Sequence, residues 1–429
     1  MRRHVALAAT LWLAMLTPPA WAETLAEACA AAAASQFEPG YAAIGRDLAT
    51  LDAAVALPRC EAAYAATPDS LEVKAWLARA YFADGTADLA LPLLEPAAAA
   101  GNLLALNILG DMLLGGTGVA QDQARGVALL RQAAEAGFAP AQNSLGLAYD
   151  LGSGVEQDYI AAVSWYRAAA EQGMSRAETN LGLMYMEGLG VSRDEVAAAA
   201  WLRRAADKGD PKALYNLGSI HELGRMVPVD YALALSLYGQ AAELGDAFAQ
   251  NSLGFMHENG LGTEPSDTMA AQYYQLAVEQ NLTVAQYNLA ILYESGRGVA
   301  QDEARAVQLY TLAAEAGDED APVNLALMHL DGRGTARDEA QALSWTRKAA
   351  DATHPVALNN LGHFYQNGIG VAVDLEQARA YYQQSAELGY QLAADNLAAL
   401  EAPPPSSHEV PAGPPGPLTP AYPDSKLDA

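Results

Sequence analysis

A motif of 36 residues recurs eight times along this chain of 429 residues, and it limits the possible folds more than any other feature. The pair Leu109-Gly110 returns every 36 residues as Leu-Gly or Leu-Ala, up to Leu361-Gly362. Each copy has a glycine six residues later, and all but one have a second glycine two residues after that. An aspartate, an aromatic residue and an alanine pair complete most copies. The chain therefore repeats one structural unit.

Each position of the motif has a physical role in a pair of helices. A glycine in mid-helix costs up to about 1 kcal/mol, so the Leu-Gly glycine indicates a helix that passes close to it. Ala290 and Ala326 replace this glycine in two copies, which indicates a limit on size rather than a special backbone angle. The Gly-x-Gly element ends the first helix in the left-handed conformation, and the aspartate caps the second helix. The aromatic residue and the alanine pair form the buried stripe of the second helix.

One such hairpin cannot bury its apolar side alone, so the copies must stack on one another. Hydrophobic residues make up 52% of the chain and aromatic residues only 7%, which fits closely packed helices rich in alanine and leucine. The sequence therefore predicts an all-α fold, a right-handed α-solenoid of helix-turn-helix repeats.

Residues 137 to 173 carry the motif in its most complete form. Their first part reads Gly-Phe-Ala-Pro-Ala-Gln-Asn-Ser-Leu-Gly-Leu-Ala-Tyr-Asp-Leu-Gly-Ser-Gly-Val-Glu-Gln-Asp. This pattern resembles the Sel1-like repeat, a relative of the tetratricopeptide repeat, and the resemblance covers about residues 101 to 389. It implies an interaction scaffold, because such repeats usually bind other proteins.

The two ends of the chain differ from the repeats. Residues 1–22 have a basic start, a short apolar run and an Ala-Trp-Ala site, which predicts a cleavable signal peptide and a periplasmic or secreted protein. Residues 23–100 predict an N-terminal cap with degenerate tetratricopeptide-like hairpins, residues 101–389 the eight repeats, and residues 390–400 a closing helix. The proline-rich segment 401–429 predicts a flexible tail, with a PxxP docking ligand as the alternative.

Cys29 and Cys60 are the only cysteines of the chain. An even pair in a chain with a predicted signal peptide favours a disulfide that closes the N-terminal segment. The alternative is two buried free thiols. Without a CxxC spacing, the pair is a poor redox or zinc site.

Three histidines, His221, His257 and His329, occupy one position of the motif, where other copies have a tyrosine such as Tyr149. They predict partly buried core residues rather than metal ligands, because equivalent atoms of neighbouring repeats lie about 10 Å apart and zinc needs ligands at about 2 Å. The chain has no nucleophile elbow, Walker loop or dinucleotide fingerprint. The sequence therefore predicts no metal, no cofactor and no enzymatic activity.

The formal net charge is −27, from 24 Lys+Arg and 51 Asp+Glu. Such an excess of carboxylates argues against nucleic acid and against anionic membrane surfaces as partners. No segment approaches the roughly 20 apolar residues of a transmembrane helix, so no membrane insertion is predicted.

The predicted partner-binding groove is lined by the first helix of each repeat, as in tetratricopeptide repeats. The inward positions then lie three residues before and one, four and five after the Leu-Gly glycine. Amide, tyrosine and glutamate side chains there would hold an extended, preferably basic, peptide, and a solvated acidic face is the alternative. The candidate residues are Asn143, Tyr215, Glu222, Asn251, Phe255, Glu258, Tyr287, Glu294 and Asn359.

These observations predict a secreted, non-enzymatic adaptor for a protein or peptide partner of the cell envelope, and they leave its oligomeric state open. The competing hypothesis is an accessory protein or hydrolase that binds peptidoglycan or another glycan. A glycan site needs exposed aromatic residues as stacking platforms. The motif places Trp165, Trp201 and Trp345 on the core stripe of the second helix, which favours a protein partner.

Overall fold

The computed structural model describes residues 20–42, 45, 48–225 and 227–402, and within them it contains 21 α-helices and no β-strand. This confirms the predicted all-α fold. The chain divides into two units, and the first ends at Ala213, inside the helix Pro211–Leu223. Most of the predicted signal peptide and almost all of the proline-rich tail lie outside the described residues.

The first unit contains the helices of the segment predicted as an N-terminal cap and the first three repeats. The first helix of each repeat packs against the second helix of the same repeat, as the motif predicts. The helices are α1 Ala20–Ala33, α2 Ala53–Ala66, α3 Leu71–Ala83, α4 Leu91–Ala99, α5 Leu103–Gly115, α6 Gln123–Glu135, α7 Ala139–Leu151, α8 Tyr159–Glu171, α9 Ser175–Glu187, α10 Glu195–Ala206 and, across the boundary, α11 Pro211–Leu223.

The second unit continues the same alternation. Here α13, α15, α17 and α19 are first helices of repeats, and α21 lies where the closing helix was predicted. The helices are α12 Tyr231–Glu243, α13 Ala247–Asn259, α14 Asp267–Glu279, α15 Thr283–Ser295, α16 Glu303–Glu315, α17 Ala321–Asp331, α18 Glu339–Asp351, α19 Pro355–Asn367, α20 Leu375–Glu387 and α21 Gln391–Glu401.

The predicted helix ends are confirmed. In the second repeat, Gly152 ends α7 at φ +68°, and the Asp158 carboxylate accepts hydrogen bonds from two backbone N–H groups at the start of α8. The fifth repeat has its aspartate, Asp267, one place late. Ser266 caps α14 instead, with its hydroxyl oxygen accepting the N–H of Met269 at 3.2 Å.

The Leu-Gly glycine leaves room for a side chain of the second helix. A Cβ at Gly146 would lie 2.7 Å from the ring of Tyr166, and one at Gly254 would lie 2.5 Å from the ring of Tyr274. Both rings are fully buried. The predicted close approach of the two helices is therefore confirmed, and an aromatic ring makes the contact.

The tryptophans occupy a different position from the one predicted. Trp165, Trp201 and Trp345 are only partly buried, at the edge of the core. The fully buried aromatic residue in the second repeat is Tyr166, one residue further on. One residue turns the side chain by about 100° around a helix, so Trp165 and Tyr166 cannot both face Gly146.

A disulfide between Cys29 and Cys60 joins α1 to α2, which confirms the predicted pairing. The segment after α1 is held against α3 by buried polar contacts. The Trp76 indole N–H donates to Glu38 at 3.2 Å, and Arg79 donates to backbone carbonyl groups at the end of α1. Burial raises the pKa of Glu38, against the hydrogen bonds from Ser35 and Trp76.

Across the described ranges, every helix is too short or too polar to cross a bilayer.

Two glycines within helices of the second unit should respond in opposite ways to the same substitution. Gly239 has no atom within 4 Å of an added Cβ, so Gly239→Ala should stabilise the protein by about 0.5–1 kcal/mol through helix propensity. Gly254→Ala should destabilise it by about 1–3 kcal/mol, because the methyl group overlaps the Tyr274 ring. Denaturant unfolding of both variants measures the difference, and stabilisation by both would contradict the close approach.

Candidate functional site

The first helices present a stripe of equivalent residues in every repeat. We define the first-helix stripe as the residues six and three before, and one, four and five after, the Leu-Gly glycine. On α13 it contains Phe248, Asn251, Phe255, Glu258 and Asn259. This spacing of three or four residues places them on one side of the helix. The stripe includes all nine candidate residues.

The three candidate asparagines form hydrogen bonds between neighbouring first helices. In two pairs the donor lies two residues before the Leu-Gly position of the next repeat, and in the third it lies on the closing helix α21. All three acceptors are at least 95% buried. The donor–acceptor pairs are Asn180 to Asn143 at 3.1 Å, Asn288 to Asn251 at 3.0 Å and Asn396 to Asn359 at 2.9 Å. A ligand would have to compete with these bonds, and a binding role for the asparagines stays a prediction.

Tyr287 occupies the same position as these asparagines and is fully buried. Its ring lies 5.7 Å from that of Tyr310, and its hydroxyl oxygen accepts from Asn324 at 3.3 Å. The structure therefore places Tyr287 inside the second unit. The half-buried Tyr215 lies nearer the surface, and its ring is 5.9 Å from that of Phe248.

The three candidate glutamates each accept a hydrogen bond from a buried tyrosine sixteen residues later. Burial raises the pKa of Glu222, against the hydrogen bond from Tyr238. Burial and the neighbouring carboxylate both raise the pKa of Tyr238, so this tyrosine stays protonated and remains the donor. The pairs are Tyr238 to Glu222 at 2.6 Å, Tyr274 to Glu258 at 2.9 Å and Tyr310 to Glu294 at 2.8 Å.

Two of these glutamates also pair with an arginine from the next repeat. Arg297 lies 2.5 Å from Glu258, and Arg333 lies 2.6 Å from Glu294. Leu261 stands at the equivalent position for Glu222. The acidic character of the stripe is therefore partly neutralised, and a preference for a basic ligand stays a prediction.

Several exposed apolar residues of the stripe were missed from the sequence. Phe248 is 46% exposed on α13, on the same side as the half-buried Phe255. In the first unit, Leu147 and Leu151 of α7 are 42% and 65% exposed. The sequence does contain a signal for this apolar stripe. Phe248 and Phe255 are seven residues apart, and Leu147 occupies in its repeat the position that Phe255 occupies in the fifth.

The histidines are partly buried at the tyrosine position, as predicted. His257 stacks on Tyr273 with ring centroids 5.4 Å apart, and burial lowers its pKa, so the ring is neutral at pH 7. No group of three or more His, Cys, Asp or Glu side chains within the described residues has the geometry to hold a metal ion.

The fold and the stripe define a helical-repeat protein, with equivalent residues on the first helices of its repeats. The family model of the Sel1 repeat matches eight segments, and the chain belongs to this family. The matched segments are residues 103–138, 139–174, 175–210, 211–246, 247–282, 283–318, 321–354 and 355–390.

Two solved structures are similar to the chain. A Sel1 repeat protein from Oxalobacter formigenes is 32% identical, with a TM-score of 0.52, over 72% of this chain and 90% of that one. A protective antigen of uropathogenic Escherichia coli strains, which displays an SLR fold, is 30% identical, with a TM-score of 0.49, over 92% of this chain and 90% of that one. No curated protein sequence matches significantly. Proteins of the Sel1 repeat family are typically interaction scaffolds.

Proposed function

We propose that the protein is a secreted, periplasmic scaffold without enzymatic activity, which binds a protein or peptide partner of the cell envelope along the first-helix stripe. The observation that carries this proposal is the exposed apolar side chains of the stripe, with Phe248 in the second unit and Leu147 and Leu151 in the first. Contiguous exposed apolar side chains are typical of interaction surfaces, and Leu147 and Leu151 lie one helical turn apart on α7. Membership of the Sel1 repeat family supports a protein partner.

The disulfide supports the proposed compartment. Disulfides persist in oxidising environments such as the periplasm, and Cys29 and Cys60 form one. The signal peptide predicted for residues 1–22 agrees with export. A scaffold in this compartment would regulate the periplasmic domain of a sensor or organise an envelope complex.

The second candidate function, binding of peptidoglycan or another glycan, is favoured by the partly exposed tryptophans. However, cations of the chain itself already stack on two of them. The Arg204 guanidinium lies 4.4 Å from the Trp201 ring centroid, and the Lys348 ammonium lies 5.0 Å from that of Trp345. A sugar would have to displace these cations, so the glycan hypothesis ranks second.

A crosslinking pull-down from periplasmic extract, beside sedimentation with peptidoglycan, tests the proposal. The mature chain should recover one stoichiometric protein partner. We expect Phe248→Asp to lower recovery at least about tenfold, because it puts a charge in the apolar contact. Leu312→Asp is the matched control: Leu312 is 47% exposed, close to the 46% of Phe248, but lies on the second helix α16.

A triple Glu-to-Gln variant at positions 222, 258 and 294 tests the preference for a basic partner. Glutamine keeps an oxygen that accepts the tyrosine hydrogen bond, so the variant removes the charge and, at two positions, the ion pair with Arg297 or Arg333. Recovery of peptidoglycan alone, unaffected by these variants, would overturn the scaffold proposal.

A further inference from the structure

The turn between α14 and α15 departs from the pattern of the other repeats. A glycine occupies the equivalent turn position in six copies, whereas Asn281 occupies it here. Asn281 adopts the left-handed conformation at φ +61°, and its backbone N–H donates to the carbonyl oxygen of Val278 at 2.9 Å. Asparagine tolerates this conformation better than most other residues. The backbone geometry therefore accounts for a glycine or an asparagine at this position.

The two residues that follow Asn281 give it a chemical property that the backbone does not require. Asn281, Leu282 and Thr283 form the sequence Asn-x-Ser/Thr with x other than proline, which is the acceptor for N-linked glycans in secreted proteins. The chain has 14 asparagines, and in no other case does serine or threonine stand two residues later. The turn before α15 therefore contains the one glycan-acceptor sequence of the chain.

The structure leaves the Asn281 side chain available for modification. Asn281 is exposed in the turn between two helices, as an acceptor for a glycan must be. Its side-chain amide forms no hydrogen bond within the part of the chain that the structure describes. The asparagines of the first-helix stripe differ in both respects, because Asn251, for example, is buried and accepts a hydrogen bond from Asn288.

The space around this turn accommodates a bulky substituent. Gly245 and Gly317 occupy the equivalent position in the neighbouring repeats and also have positive φ. A Cβ added to either glycine would meet no atom within 4 Å, so a side chain at this position extends into open space. A glycan is a large, hydrophilic group that belongs on the surface. The folded second unit can therefore carry one on Asn281 without displacing a helix.

We propose that Asn281 is an N-glycosylation site, modified during export by transfer of an oligosaccharide from a lipid diphosphate carrier. The Asn281 amide nitrogen forms a bond to the anomeric carbon of the first sugar, while the bond from that carbon to the diphosphate oxygen breaks. The amide nitrogen gives up a proton, and the lipid diphosphate leaves with the electron pair. Thr283 is the half-buried first residue of α15, so the transfer takes place before this helix has formed.

The modification goes beyond the proposed scaffold function and shares with it only the exported location. The glycan would stand at the end of α15 from which the chain enters the helix, three residues before Val284.

Intact-mass measurement of the full chain purified from its native host, beside single-residue variants produced in the same host, tests this inference. The wild-type protein should be heavier than Asn281→Gly by one oligosaccharide in addition to the substitution itself, and tandem mass spectrometry should locate the added mass on Asn281. Asn281→Gly keeps the fold, because glycine is the residue of six other copies. Thr283→Ala should lose the added mass, and Thr283→Ser should keep it, since serine preserves the acceptor sequence.

Asn259→Gln is the matched control, because Asn259 is also exposed in the second unit but is followed by Gly260 and Leu261. This variant should keep the added mass. A wild-type protein that differs from Asn281→Gly by the substitution alone would overturn the inference, and so would an added mass that persists in Thr283→Ala. An unmodified wild-type protein that still recovers its partner in the pull-down would overturn this inference alone and leave the scaffold proposal standing.

Discussion

Gly298→Ala is expected to destabilise the second unit by about 3–5 kcal/mol, a large effect for a single methyl group. Gly298 is the second glycine of its turn, at φ +67°, and an added Cβ would lie 2.1 Å from the backbone oxygen of Asp267. Asp267 begins α14, so this oxygen cannot move without shifting a whole helix. Left-handed strain and the overlap with backbone add together.

Gly317→Ala separates these two causes. Gly317 also has a positive φ, +100°, but an added Cβ would meet no atom within 4 Å. We expect a loss of about 1–2 kcal/mol from strain alone. Denaturant unfolding followed by circular dichroism gives both values. Equal losses for the two variants would show that the contact between the turn and the preceding repeat does not require glycine.

Removal of the disulfide is expected to destabilise the first unit by about 4 kcal/mol. Cys29 and Cys60 are 31 residues apart, and a loop of this length corresponds to about 3.7 kcal/mol of lost chain entropy in the unfolded state. The double variant Cys29→Ala/Cys60→Ala should unfold at a lower denaturant concentration than the oxidised protein.

Reductant provides the control for this prediction, because the chain has no other cysteine. It should lower the stability of the wild-type protein to nearly that of the double variant, and leave the double variant unchanged. A wild-type protein whose unfolding is insensitive to reductant would contradict the stabilising role of the disulfide.

The helix boundaries were predictable because their signals are local. A glycine at positive φ ends each first helix, and an aspartate or serine starts the second, so a short window around Gly152 or Asp158 contains the information. The neighbouring sequence does not indicate whether Trp165 or Tyr166 is the core residue. The choice depends on which side of α8 faces Gly146, and both residues are aromatic.

The candidate site was predictable only in part. The register of the repeat placed the candidate residues on the first helices, but it did not show that their side chains bond to one another. The bond from Asn288 to Asn251 joins residues 37 apart, and the pair Arg297–Glu258 joins residues 39 apart. Such contacts follow from how successive repeats stack.

Site-specific photo-crosslinking shows whether the first-helix stripe contacts the partner. A photo-reactive aromatic amino acid is placed at Phe248 in one variant and at Leu312 in another, two positions of nearly equal exposure on a first and a second helix. We expect a crosslinked partner from position 248 and none from position 312. Crosslinking from position 312 alone, or equally from both positions, would contradict it.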